Sequence, residues 1–156
     1  EKLYMPAMRF NHMELTLPPG TLARDRDAIV AFYSEVFGFN AIDVPLFDST
    51  GLLLSTDAEV SQFLLLMEQD KHLHSPGYDH LGFLYESRAE VDDKLARCKE
   101  WQKKDDRVRL KEYDDLIISP TTTHAFYVQY LLPIWFDIQV IEYDQGTAPQ
   151  KGWAYR

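Results

Sequence analysis

Several things are scarce in this chain of 156 residues, and each scarcity removes a class of protein. There is one cysteine, Cys98, so no internal disulfide and no multi-thiolate zinc site can form. No apolar run approaches the roughly 20 residues of a membrane span. The longest clusters, Phe63–Met67 and Tyr130–Phe136, have the length of strands. Basic residues are in deficit, with 16 Lys and Arg against 25 Asp and Glu and a net charge of −9. A phosphate backbone or an anionic membrane needs a basic face, so neither nucleic acid nor membrane is the expected partner. No basic-then-apolar leader of the secretory type opens the sequence. With a lone cysteine, this makes a reducing, cytoplasmic setting the expectation. Low complexity is also absent. The chain is 46% hydrophobic and 13% aromatic, ample for a packed interior.

What is present is ordered, and it occurs twice. Phe10–Leu17 alternates, with His12, Glu14 and Thr16 on one face and Met13, Leu15 and Leu17 on the other, as in a half-buried strand. After Pro18-Pro19-Gly20 an amphipathic helix is predicted from about Arg24 to Phe37, stopped by Gly38. Strands follow at about Phe39–Val44, Gly51–Ser55 and Gln62–Glu68. A polar segment with His72 and His74, read as solvated, leads to a second strand–helix–strands series. Its strand is Asp79–Tyr85. Its helix is Arg88 to about Lys103, with Ser87 as N-cap and Val91, Leu95 and Cys98 inward. Its last strands are Val108–Tyr113, Thr123–Gln129 and Phe136–Tyr143. Asn11-His12-Met13 answers Asp79-His80-Leu81, and Leu66-Met67-Glu68 answers Val140-Ile141-Glu142. The expectation is one α+β domain over residues 1–156. It is built of two tandem βαβββ modules, about 8–70 and 78–144, forming curved mixed sheets around a cleft, with a tail at 145–156.

The letters also carry a resemblance. Ala31-Phe32-Tyr33-Ser34-Glu35-Val36-Phe37-Gly38-Phe39 follows the His12 strand, and Tyr78-Asp79-His80-Leu81-Gly82-Phe83 opens the second module. Ala125-Phe126-Tyr127-Val128 and Asp137-Ile138-Gln139-Val140-Ile141-Glu142-Tyr143 close it. In this order the motifs resemble the vicinal oxygen chelate superfamily: glyoxalase I, extradiol dioxygenases, and fosfomycin and bleomycin resistance proteins. The resemblance runs from about Phe10 to Asp144 and implies their shared fold.

It also implies one divalent ion, Fe, Mn, Ni, Co or Zn, held by two histidines and a carboxylate. The histidines map onto His12 and His80. At the carboxylate position this chain departs from the family, because Gln139 stands there. Gln139 is preferred over Asp137, which shares its face, and over Glu142, which alternation puts on the other face. A neutral amide oxygen can ligate but removes no charge. The counterpart of Gln139 in the first module is read as Leu65, which cannot ligate, so a four-ligand glyoxalase I site is disfavoured.

His124 is either an acid/base residue near a bound phenol or enol, or a strand-end surface histidine. Tyr127 and Tyr130 can hydrogen-bond an oxyanion or serve as core. Phe126, Tyr127 and Trp135 would favour a planar ligand; Trp135 either caps the cleft or packs on a partner chain. Asp25–Asp27, Asp92-Asp93 and Asp105-Asp106 are read as helix-start or loop charges. The resemblance implies a homodimer acting on a small molecule. Two functions stay open: a metal-dependent enzyme of the dioxygenase or lyase/isomerase type, and a metal-free protein that sequesters a ligand. The two histidines favour the first and the missing Glu favours the second.

Overall fold

The computed structural model describes residues 8–149, and the chain divides into two compact units. One comprises residues 8–77 with Leu131–Pro133, the other Tyr78–Tyr130 with residues 134–149. The first unit runs β1 (His12–Leu17), α1 (Thr21–Phe37), β2 (Asn40–Leu46), β3 (Ser49–Ser55) and β4 (Phe63–Glu68). Its sheet has the order β1-β4-β3-β2, with β1 and β4 parallel and the other pairs antiparallel. The alternation of β1 puts Leu15 and Leu17 in the core beside Leu52, Leu54, Leu64 and Leu66. Ile29, Phe32, Tyr33 and Val36 form the buried stripe of α1.

Helix α1 begins at Thr21, one turn earlier than its apolar spacing suggests. The cause is distant in sequence. Glu68, at the end of β4, accepts hydrogen bonds from the Gly20 and Leu22 amides at 2.9 and 2.8 Å. A carboxylate there satisfies amides that no earlier turn can reach and faces the positive end of the helix. Gly38 ends the helix with φ 74°, a left-handed turn that a side chain would strain.

The second unit runs β5 (His80–Leu84), α2 (Arg88–Lys104), β6 (Arg109–Glu112), β7 (Leu116–Ile118), β8 (Thr121–Gln129) and β9 (Trp135–Tyr143). Its sheet order is β5-β9-β8-β6, with β5 and β9 parallel and β7 pairing β8 beyond β6. Four strands therefore follow α2, one more than the expected three. The Ser87 cap is present, and as a complete capping box: Glu90 N–H donates to the Ser87 hydroxyl while the Glu90 carboxylate accepts from the Ser87 amide. Helix α2 packs on β8 and β9. It buries Val91 and Cys98, and Phe126, Val128, Phe136, Ile138 and Val140 supply the sheet side of that core. Burial pushes the Cys98 thiol up to about 12, so it stays a protonated core residue.

Among the described residues no helix is long and apolar enough to cross a membrane. Two mixed sheets, each with one helix, make this an α+β protein as expected.

Candidate functional site

Because side chains alternate along a strand, whatever does not face α2 lies on the other, open face of the second sheet. That face is built in rows. In one row Gly82 of β5 stands opposite Asp137 of β9, Asp137 opposite Tyr127 of β8, and Tyr127 opposite Lys111 of β6. His80 and Trp135 pair one step to one side, and Gln139 and Ala125 one step to the other.

His80 is held in one tautomer. Its Nδ1 lies 2.8 Å from the Tyr78 carbonyl oxygen, which can only accept, so Nδ1 carries a proton and the neutral imidazole presents its lone pair at Nε2. Around that nitrogen stand the Tyr127 hydroxyl at 3.4 Å and Asp137 Oδ2 at 3.8 Å. The Tyr127 ring tilts against the imidazole at 4.7 Å. Asp137 is buried, and its Oδ1 has no hydrogen-bond donor among the described residues. Burial raises its pKa, and nearby His80 offsets only part of that. An ionised carboxylate so placed calls for a proton or a cation. Burial also raises the Tyr127 phenol, helped by Asp137, so Tyr127 keeps its proton and acts as a donor. Gln139 lies over Gly82, where an added Cβ would come within 3.2 Å of its Nε2.

In the first unit His12 is exposed at the start of β1, and it is oriented by the same device. Its Nδ1 lies 2.6 Å from the Asn11 amide oxygen, again leaving Nε2 free. The ring stacks on Phe63 at 4.8 Å with 5° between planes. Tethering one imidazole nitrogen to an oxygen acceptor is how metal-binding histidines are commonly set.

Not every expected residue joins these two positions. His124 stands on the helix side, not the open face. Its Nδ1 is 2.7 Å from Asp115, its Nε2 2.7 Å from Asp92 on α2, and Arg88 lies 2.9 Å from Nδ1. Burial lowers its pKa, but the two carboxylates outweigh this and the net shift is upward. Arg88 also reaches Asp115 at 2.7 Å and Glu142 at 2.5 Å, which fixes Glu142 on the helix side too. Glu68 caps α1 and is likewise occupied. Tyr130 is core, its hydroxyl donating to Asp105 at 2.6 Å, and Trp135 is buried against Tyr78 at 5.3 Å. Asp25 and Asp105 are more than surface charges: Asp25 is buried beside Arg24, and Asp105 closes α2 and binds Tyr130 and Arg107.

The register also changes the counterpart of Leu65. Phe63 lies opposite His12 and Trp135 opposite His80, so two residues on, Leu65 corresponds to Asp137 rather than to Gln139. Asp137 is thus the β9 carboxylate beside His80. Among the described residues no three His, Cys, Asp or Glu side chains cluster as a metal cage. The fit to an ion rests on the oriented imidazole, the unpartnered carboxylate oxygen and the phenol around one point.

The Glyoxalase/Bleomycin resistance protein/Dioxygenase superfamily model matches residues 9–121, a span that holds both histidines and ends before β9. No curated protein sequence matches the chain. Solved structures do. A possible glyoxalase from Bacillus cereus is 25% identical, with 87% of this chain and 100% of that one covered and a TM-score of 0.51. Lactoylglutathione lyase from Agrobacterium tumefaciens is 18% identical over 87% and 96%, with a TM-score of 0.55. A variant of the fosfomycin resistance protein FosX from Listeria monocytogenes, in complex with Mn(II) and dihydroxypropylphosphonic acid, is 16% identical over 88% and 93%, with a TM-score of 0.56. At such identity the last two speak to the fold alone. The family model covers well over half the sequence, and on that match the chain belongs to the Glyoxalase/Bleomycin resistance protein/Dioxygenase superfamily.

Proposed function

We propose that this protein is a metal-dependent enzyme of its superfamily, acting on a small molecule that grips the ion through two adjacent oxygens. His12 and His80 are the imidazole ligands, and β9 supplies the third side chain. Asp137 is the stronger candidate for that third place and Gln139 the weaker. The observation that carries this reading is the buried Asp137 oxygen without a donor among the described residues, on a carboxylate 3.8 Å from Nε2 of His80. A divalent ion bound there would act as a Lewis acid toward a diol, catechol or enediol.

The chain's own residues have definable parts. The Tyr78 carbonyl fixes the His80 tautomer, so the imidazole offers its lone pair to the site. The Tyr127 hydroxyl, kept protonated by burial, donates a hydrogen bond toward negative charge developing on a substrate oxygen. Gly82 leaves open the space in which Gln139 sits, and a side chain there would crowd it. The choice between dioxygenase and lyase/isomerase chemistry follows from the metal and the substrate.

The rival is a metal-free protein that sequesters its ligand, favoured by Gln139 where the family's Glu is expected. Metal analysis decides between them. Protein purified without a chelating column is expected to carry near-stoichiometric Fe, Mn, Ni, Co or Zn. The content should fall in His12→Ala, His80→Ala and Asp137→Asn. Protein that carries no ion and takes up none of these metals would overturn the enzyme reading in favour of the rival.

A further inference from the structure

Cations on the second unit are generally matched to acids. Arg88, Lys94, Arg97, Lys99, Lys103 and Arg107 each lie within 3.3 Å of a carboxylate oxygen. Three others, Lys104, Arg109 and Lys111, pair with no carboxylate among the described residues; Lys104 ends α2 beside the Trp101 ring at 5.9 Å, away from the open face, which leaves Arg109 and Lys111. They sit two apart on β6, so both belong to the open face that carries His80, Tyr127 and Asp137. In a chain with a net charge of −9, shortage of acids does not explain this.

Both cations lie over aromatic rings instead. Lys111 Nζ is 3.9 Å from the centre of the Tyr78 ring and 5.3 Å from that of Tyr113. The Arg109 guanidinium is 4.8 Å above Trp135, and its Nη1 donates to Gln129 at 2.8 Å. Ring faces and a neutral amide hold a cation in place without cancelling its charge. Tyr127 links these cations to the polar cluster. It stands opposite Lys111, its ring is 4.9 Å from Tyr113, and on its other side it meets His80. Asp137 lies in the same row, but Tyr127 stands between it and Lys111.

We infer that the open face of the second unit binds a flat organic anion. Lys111 and Arg109 hold its acid group, its ring lies along Tyr78, Tyr113 and Tyr127, and its far end meets His80 and Asp137. This rests on the reading of that face as the functional site and adds the substrate class. Lys111 becomes the specificity residue, because the anion supplies the charge partner that the fold withholds.

The test is calorimetric titration with benzoate, phenylphosphonate and the neutral benzamide. It uses the full chain stripped of metal with EDTA, so that an ion cannot capture the acid group. Benzoate or phenylphosphonate is expected to bind about tenfold or more tighter than benzamide, the scale of one charge-assisted contact. The tighter of the two identifies the acid group as carboxylate or phosphonate. Lys111→Met and Arg109→Met, checked for folding by circular dichroism, should remove that preference and leave benzamide unchanged. Equal affinity for benzoate, phenylphosphonate and benzamide overturns the inference. So does a preference that survives the double variant, or no binding of either anion at millimolar concentration. Lys111-dependent anion binding by a protein that takes up no metal would keep this inference and remove the metal reading; the reverse result would do the opposite.

Discussion

The two units share one plan and differ mainly on one surface. Toward their helices both are ordinary cores: Leu15, Leu52, Leu54, Leu64 and Leu66 in the first unit, Phe126, Val128, Phe136 and Ile138 in the second. Each places a histidine at the start of its first strand with Nδ1 tied to a neighbouring oxygen. The open faces then diverge. Across from His12 the first unit has Phe63, then Leu65 and Met67; across from His80 the second has Trp135, then Asp137 and Gln139. One plan can keep its helix-side packing, which stability requires, while the open face carries polar side chains in one unit and apolar ones in the other.

The sharpest way to break the comparison is to give the second unit the first unit's residue. Asp137→Leu removes a buried carboxylate whose oxygen lacks a donor. In metal-free protein it is expected to stabilise by about 1–3 kcal/mol, as replacing buried ionic groups often does. The pH dependence supplies the sign. Asp137 is an acid whose folded pKa is raised, so it destabilises once pH rises past its unfolded value, and most above its folded one. The gain from Asp137→Leu should therefore be larger at neutral pH than in acid. Urea melts of the EDTA-treated proteins at both pH values check this. A variant less stable than the parent at neutral pH would show that Asp137 is already compensated.

A smaller effect separates how the two helices are started. Helix α2 is capped by its own neighbour Ser87, α1 by Glu68 arriving from β4. Ser87→Ala and Glu68→Ala should each cost about 1 kcal/mol in denaturant melts, the usual worth of a cap. A Glu68→Ala change that leaves stability unaltered would mean the α1 amides find other acceptors.

The same contrast explains what the sequence disclosed. The β1 alternation, the Ser87 cap and the inward placement of Val91 and Cys98 are local patterns, and they are present as expected. The early start of α1 is not local, since its cap comes from another element. Strand β7 has three residues, all exposed, too few to show a period. Asp137 was on the right face by alternation, but its place beside His80 depends on the β5–β9 register, which letters do not give. His124 is different. It lies three residues from Tyr127 on one strand, so alternation alone separates the two faces, and that signal was available in the sequence.

The smallest expected effect concerns that separation. On the helix side of the second unit His124 joins Asp92 of α2 to Asp115, while Arg88 binds Asp115 and Glu142. A histidine whose folded pKa is raised stabilises fully below its unfolded pKa and loses that contribution as pH rises through the folded value. Asp115, held down at about 2 by Arg88 and then His124, acts in the opposite sense: its contribution is present above its unfolded pKa and fades only as pH falls toward 2. Of Arg88, Asp115 and His124, the histidine is the one that changes charge from pH 5 to 8, so this cluster should lose a modest amount of its stabilisation across that window and His124→Gln should make the curve less steep. Arg88 keeps its proton throughout, raised by Asp115 and Glu142, and cannot produce the slope. Thermal melts across those pH values read the difference. If His124 instead served the open face, His124→Gln would leave the stability slope intact and alter metal or anion binding; on the helix-side geometry it changes the slope and leaves both binding curves alone.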